Sequence, residues 1–598
     1  MDLDNPHCLS YLTSDVIHMP ACRWQALFVA GGGARGVGYK ELFSRGIMKL
    51  HLFSTILFAS AVMMPGAGLS QDHTTWTYNA TVYEVNVRQY TQEGTFNAFR
   101  SHLGRLDSLD VSILWFMPIH PIGIKNRLGS LGSYYSVRDY YGVNPEFGTL
   151  QDFKALVDSI HTRGMFVLMD WVANHTSWDN VWTQTHPEFY VKDGQGNFIA
   201  PPGTNWSDVI QLDYSNSTMQ DSMMAAMKYW VLNAHVDGFR CDAASRVPTD
   251  FWTKASAALK QLKPDIFLLA EDQGVKYYAS GFGMTFGWSF YGFGSGILVR
   301  LSNGQADANG FAAFVQAEEG QYPGNNYRMY FTSNHDENSW YGTDQQLFGA
   351  ATESFIALTH VFRSVPLIYG GQEAGLDHRL NFFDKDQIVW TANPRAKLFQ
   401  ALLRLKRTNS AIWNGTSGSP LIRIPTTTDQ ATFAFVRTKG EDGVFGVFNL
   451  SSTQTTTTLT MSGYAGSYRD IFTDSTVFLD TNFTTVLPAW GYRVFERNHV
   501  SSGVRDGEAY PQLYTLSQNY PNPFNPSTII RYSLPQRSPV LLTVFNILGQ
   551  QIATLAKGEQ EAGNHAVRFD ASNLASGVYF YRLTANDFVR TRKLLLLR

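Results

Sequence analysis

The chain has 598 residues, 44% of them hydrophobic and 16% charged, which is too long for one core and too apolar for a disordered polymer, so three or four globular modules are expected. Its 47 basic and 50 acidic residues leave a formal net charge of -3, which offers no attraction to nucleic acid and suits a neutral substrate. Only Cys8, Cys22 and Cys241 are present, which excludes a disulfide framework.

From Met48 the chain reads MKLHLFSTILFASAVMMPGAGLSQ, with a basic start, an apolar run from Leu52 to Met64 and small residues near 67–70. This pattern predicts a secretory signal peptide over 48–70, and makes residues 1–47 a mis-assigned start or a cleaved, disordered extension. The apolar run is too short for a membrane span, so no transmembrane segment is expected in the mature protein. A glycine-rich stretch at 31–36 is followed by no G-x-S-x-G elbow and carries no lipase chemistry.

Over 76–409, short apolar runs alternate with longer amphipathic ones, which predicts an α/β fold closed as a (β/α)8 TIM barrel. The expected strands are 81–87, 112–117, 165–170, 236–242, 266–271, 284–288, 329–333 and 366–369. Residues 176–213 are too long and too polar for an ordinary connection and predict a small excursion domain after the third strand. Its Trp178, Trp182 and Trp206 either line a cleft or pack the excursion. Thr-rich alternation over 410–497 predicts a β-sandwich. A polar linker at 498–512 leads to a separate immunoglobulin-like β-domain at 513–598.

Acidic residues at the carboxyl ends of barrel strands converge on one pocket. Three stand there: Asp242 ends GFRCD, Glu271 ends LLAE, and Asp336 follows the seventh strand in FTSNHD. Retaining cleavage of an acetal needs two carboxyls about 5 Å apart, one attacking the anomeric carbon and one protonating the departing oxygen. Single acids after strands are usually helix caps, but three flanked by Arg240, His175 and His335 are not explained that way. Residues i and i+2 share a strand face, so Arg240 points with Asp242 while Cys241 faces the helix layer as a small apolar side chain. Asp170 ends the third strand, where it can orient a neighbour.

DWVANH (Asp170 to His175), GFRCD (Gly238 to Asp242), LLAED (Leu268 to Asp272) and SNHDE (Ser333 to Glu337), in that order, resemble four signature segments of glycoside hydrolase family 13, the α-amylase family. SYYSVRDYYGVNPEFGT and PLIYGGQE extend the resemblance over roughly 76–497. It implies a retaining double displacement on α-linked glucose polymers, with Asp242 as nucleophile, Glu271 as general acid/base and Asp336 as the carboxylate that stabilises the transition state. It further implies that Arg240, His175, His335 and Asp170 surround the sugar and that Tyr135 stacks under it. Calcium is a possible cofactor through Asn174, but Gln211 stands where an aspartate ligand is common, and calcium favours charged oxygens. Ser245 and Arg246 replace a lysine and a histidine of endo-acting members.

YPNPFNPST (Tyr520 to Thr528), VFNILGQQIATL (Val544 to Leu555) and LASGVYFYRL (Leu574 to Leu583) resemble the C-terminal sorting domain of the type IX secretion pathway. That resemblance implies a secreted or cell-surface protein that meets a secretion machinery, while the α-amylase resemblance implies an α-glucan as the substrate partner. A transglycosylase or exo-acting α-glucosidase of the same family remains the alternative. A non-catalytic glucan-binding protein is disfavoured, because such relatives lose the carboxylates that Asp242, Glu271 and Asp336 retain.

Overall fold

Eight short, wholly or almost wholly buried strands close into a barrel: β1 (Val82–Val85), β2 (Ile113–Phe116), β3 (Phe166–Val172), β4 (Gly238–Asp242), β5 (Phe267–Ala270), β6 (Met284–Phe286), β7 (Tyr327–Tyr330) and β8 (Val365–Tyr369). Neighbours run parallel in chain order, and β8 closes on β1 through the pair Val82 and Leu367. This computed structural model describes residues 73–292, 295–363, 365–497, 514–519 and 521–597. The expected signal peptide at 48–70, the extension before it and the 498–512 linker lie outside the described residues.

The strands read as continuous apolar runs because a parallel barrel covers both faces of each one. The expected (β/α)8 barrel is therefore present, with strand boundaries displaced by up to three residues. β3 continues to Val172, because Trp171 and Val172 still pair with Cys241 and Asp242. β7 starts two residues early and ends at Tyr330, because the chain then leaves the ladder for a short helix, His335–Trp340, whose first turn is capped by the Asn334 side chain. Between β4 and β5 the backbones approach so closely that a Cβ at Gly238 would sit 1.8 Å from the Phe267 carbonyl oxygen.

The helices follow the same logic. Leu150–Thr162 begins with a capping box between Thr149 and Asp152 and buries Phe153, Leu156, Val157 and Ile160 at helical spacing. After β3 the chain makes the expected excursion, in which His175–Ser177 pairs antiparallel with Val209–Gln211 before helix Ser217–Ala234 returns it to the barrel.

Beyond the barrel, a six-stranded and a two-stranded antiparallel sheet form the expected all-β domain. Phe433 and Phe435 share one core with barrel residues, and buried Arg437 donates to the carbonyls of Ser419, Phe362 and Trp413. The chain divides into two compact units, one up to Asn498 and one from His499. The second contains a three-stranded and a four-stranded sheet around its own core, which includes Phe524, Leu542, Tyr581 and Leu594. Among the described residues, no helix is long and apolar enough to cross a membrane.

Candidate active site

The carboxyl end of β4 sets the centre. Alternation turns Phe239 and Cys241 toward the helix layer, where Phe239 meets Trp171, and turns Arg240 and Asp242 inward. Cys241 is a buried free thiol, as its apolar reading required. Glu271 stands one residue beyond β5, and its N–H still donates to the Cys241 carbonyl at 3.1 Å, which seats it beside the end of β4. Arg240 lies between the acids, with Nη1 2.9 Å from Asp242 Oδ1 and Nη2 2.7 Å from Glu271 Oε1. The second oxygen of Glu271 accepts from the Ala243 N–H at 2.7 Å.

Arg240 is held in turn. Its Nη1 donates to Asp170 Oδ1 at 2.8 Å, and the guanidinium lies 5.1, 5.6 and 5.7 Å from the rings of Trp115, Tyr135 and Phe286. Asp170 is fully buried, and its other oxygen accepts from Trp115 Nε1 and the Tyr135 hydroxyl. It therefore lies beneath the pocket, where it anchors Arg240 as an aspartate that orients a neighbour. Tyr135 links this group to His335 Nε2 at 2.8 Å, and His335 Nδ1 is 2.5 Å from Glu84 Oε1 on β1. Asp336, 3.4 Å from His335, is the most open of the carboxylates at 33% exposure. The structure thus gathers the predicted Asp242, Glu271, Asp336, Arg240, His335 and Tyr135 at one end of the barrel. It adds Glu84 and Trp115, which the sequence reading did not single out.

Burial raises the carboxyls of both Asp242 and Glu271; the charge of Glu271 adds to the rise at Asp242 and that of Asp336 to the rise at Glu271, against the pull of Arg240. Burial would discharge His335, but Asp336 and Glu84 overcome it and lift its pKa to about 9. His175 goes the other way: burial, helped by Arg246, lowers it to about 3, so it is neutral. Asn174 Nδ2 donates to His175 Nδ1, which leaves the proton on Nε2 and makes that nitrogen a donor. The His175 ring lies 5.2 Å from Trp206, which in turn carries Arg246 over its face at 5.1 Å. Of the excursion's tryptophans, Trp182 is buried packing and Trp206 borders the pocket.

The residues around Asn174 do not fit a calcium ion. Gln211 Nε2 donates at 3.1 Å to three oxygens at once, the Asn174 carbonyl, Asn174 Oδ1 and the Leu212 carbonyl. An N–H2 group thus occupies the point on which these oxygens converge, and among the described residues no group of three His, Cys, Asp or Glu side chains is arranged to hold a metal.

A closed parallel barrel with buried, arginine-bridged carboxyls at its carboxyl end defines a glycoside-hydrolase type of site. The family model for the α-amylase catalytic domain matches residues 70–400, and the chain belongs to that family. The model for the α-amylase C-terminal all-beta domain matches 426–491, and that for a secretion system C-terminal sorting domain matches 518–597, which implies export. The α-amylase MalA of Haloarcula japonica is 26% identical over 462 residues, 71% of this chain and 64% of that protein, so the chain spans less than two thirds of this relative's length. The noncanonic maltogenic α-amylase AmyB of Thermotoga neapolitana superposes with a TM-score of 0.63 at 28% identity, over 70% of this chain and 98% of that one. An α-amylase from Lactobacillus plantarum gives 0.63 at 29%, over 71% and 100%. Curated relatives include glucanotransferases as well as amylases.

Proposed function

We propose that the protein is an exported, retaining α-glucan hydrolase acting on starch, glycogen or maltooligosaccharides. Asp242 attacks the anomeric carbon while Glu271 gives its proton to the departing oxygen, and Glu271 then takes a proton from the water that releases the glycosyl–Asp242 intermediate. The observation that carries this reading is the single Arg240 guanidinium that touches both carboxyls, at 2.9 and 2.7 Å. So small a bridge favours the separation of about 5–5.5 Å that retention uses over the roughly 6.5–9.5 Å that leaves room for an inverting water. Asp336 faces the open pocket, where a carboxylate opposes the positive charge that develops on the sugar. His175 Nε2 supplies a donor to its hydroxyls, while Arg240, enclosed by the carboxyls, orients Asp242 and Glu271. Export starts from a signal peptide at 48–70 and proceeds through the sorting domain by a type IX pathway. We further propose that the enzyme needs no calcium, because Gln211 supplies the donor around which Asn174 and Leu212 are arranged.

The test is maltoheptaose with the first-formed product anomer followed by proton NMR. An α-anomer that mutarotates afterwards supports the reading, and an initial β-anomer overturns retention. Products longer than the substrate would favour a transglycosylase. Absence of cleavage in the wild type would favour a binding protein. Asp242→Asn or Glu271→Gln should lower turnover by several orders of magnitude while the melting temperature holds.

A further inference from the structure

The Glu271 carboxyl is gripped by Arg240 and by the Ala243 N–H, and to protonate a departing oxygen it has to release at least one of them. Its backbone must therefore be held by other contacts. On the upstream side the barrel ladder does this, because the Glu271 N–H still reaches the Cys241 carbonyl. Downstream the ladder has ended and residues 272–274 form a loop. Three bonds from outside hold it. The Phe286 N–H donates to the Asp272 carbonyl at 3.0 Å, the Tyr322 hydroxyl to the Gln273 carbonyl at 2.5 Å, and the Ser289 N–H to Gln273 Oε1 at 3.1 Å. Within the loop, Asp272 Oδ1 accepts from the Gly274 N–H at 2.5 Å and closes the turn.

The residues that supply these donors meet in a buried charged cluster. Its centre is Glu318 in the helix Ala308–Gln321. Glu318 Oε1 accepts from Ser289 Oγ at 2.7 Å, and Oε2 accepts from the Tyr330 hydroxyl at 2.5 Å and from Arg328 Nε at 3.2 Å. The Arg328 guanidinium lies 3.9 Å from the centre of the Tyr322 ring, donates through Nη2 to Ser289 Oγ at 3.2 Å, and donates through Nη1 to the Phe286 carbonyl. The Tyr322 N–H donates to the Glu318 carbonyl at 2.8 Å, so both the backbone and the ring of Tyr322 are fixed. The Glu318–Arg328 pair thus touches Tyr322, Ser289 and Phe286, the three residues that hold the loop. Desolvation offsets most of the attraction in a buried ion pair, so the directions it imposes on its partners are the larger consequence. Tyr322, Glu318 and Arg328 line a cavity separate from the sugar site, together with Phe362, Arg363 and Asn414.

Resting on the reading of Glu271 as the general acid/base, we propose that Tyr322, fixed by the Glu318–Arg328 pair, is a positioning residue for it. By holding the Gln273 carbonyl, Tyr322 keeps the backbone two residues beyond Glu271 in place while the carboxyl exchanges its contacts with Arg240 and Ala243 for the departing oxygen. The bond acts on the step in which Glu271 gives up its proton and leaves the attack by Asp242 untouched. A misplacement of about 1 Å at a reacting group costs on the order of a hundredfold in rate, so a single bond that limits the drift of the loop has a measurable effect.

The test is Tyr322→Phe in the full enzyme, which removes one oxygen and leaves the ring against Arg328. Maltoheptaose needs a proton on its leaving oxygen, whereas fluoride departs from α-maltosyl fluoride without one, and kcat/KM reports the first bond cleavage for both. The variant should lose about tenfold in kcat/KM on maltoheptaose while α-maltosyl fluoride stays within about twofold of wild type. Glu318→Gln keeps acceptors for Ser289 and Tyr330 but removes the charge facing Arg328, and should shift the ratio of the two rates in the same direction; a wild-type ratio there overturns the part assigned to the pair. A general loosening of the fold lowers both substrates together, so an equal loss on both in Tyr322→Phe, or an unchanged maltoheptaose rate, overturns the proposal. If the wild type cleaves neither substrate, the hydrolase reading fails by itself. Crystal structures of wild type and Tyr322→Phe then decide the positioning: a Glu271 carboxyl displaced by on the order of 0.5 Å or more supports it, and an unmoved one overturns it.

Discussion

Gln211→Glu changes one atom of consequence, replacing the N–H2 that faces three oxygens at 3.1 Å with an oxygen. Asn174 and Leu212 are buried, so Asn174 Oδ1 and the Leu212 carbonyl lose a donor that water does not replace, while the Asn174 carbonyl keeps the Leu212 N–H at 3.2 Å. Each buried polar group left unsatisfied costs about 1–3 kcal/mol, so without metal the variant should lose roughly 2–4 kcal/mol. At about 2–4 °C per kcal/mol for domains of a couple of hundred residues, and less for a larger one, the expected fall in Tm is roughly 3–8 °C. The new carboxylate also completes an all-oxygen set of the kind calcium prefers, so millimolar calcium should restore the lost stability. Differential scanning fluorimetry of wild type and variant, with EDTA and with calcium, reads both effects. The wild-type Tm should be indifferent to both additions, and only the variant should respond. A variant as stable in EDTA as the wild type, or a wild type that EDTA destabilises and calcium rescues, refutes the idea that the amide fills a cation's place.

Three further outcomes are expected. Glu84→Gln removes one of the two carboxylates that hold His335 charged, the other being Asp336, while Arg240, buried Asp170 and the Tyr135 hydroxyl still face that part of the site; the His335 pKa should fall well below its value of about 9. A group with a raised folded pKa stabilises fully below its unfolded value and loses that contribution as pH rises through the folded one, so the variant should lose stability and His335 protonation at a lower pH than wild type, as read by melting curves and 15N-histidine NMR. Gly238→Ala should abolish soluble expression of the barrel, because the added Cβ meets the Phe267 carbonyl oxygen at 1.8 Å and neither strand can retreat; a soluble variant with wild-type Tm would contradict that packing. Deleting residues 513–598 should leave the purified enzyme active, since the second unit has its own core, while the native host keeps the truncated protein inside the cell envelope.

The barrel was legible because burial on both faces makes each of its strands a short apolar block, even one as small as Met284–Phe286. Boundaries drifted where the carboxyl ends turn polar: Phe331, Thr332 and Ser333 read as strand by composition but already lead into the site. The acids at strand ends were legible for the same reason, since Asp242 and Glu271 each interrupt an apolar run where the chain enters the pocket. Glu84 was not. One acid inside VYEV has no partner nearby in sequence, and only closure of β8 onto β1 brings it to a histidine 251 positions away. Trp115 was hidden differently: its type is ordinary in cores, and its role depends on the plane of a ring, which no spacing rule encodes.

Gln211 shows how a correct sequence observation leaves its meaning open. Read against an aspartate at that position, it is a lost charge and hence a weakened metal site. In the folded chain it is a donor whose effect runs further: Nε2 fixes Asn174 Oδ1, the opposite end of the same amide donates to His175 Nδ1, and the imidazole is thereby left with its proton on Nε2. The low pKa of His175, about 3, removes any competing charged form. One neutral side chain on the excursion strand thus sets the tautomer of a histidine beside the proposed cleavage point, a task for which a bound cation would have to order the same two residues by attraction alone. Loss of the ligand type and retention of the ordering are compatible because what the pocket needs from this corner is orientation, and hydrogen-bond direction supplies it.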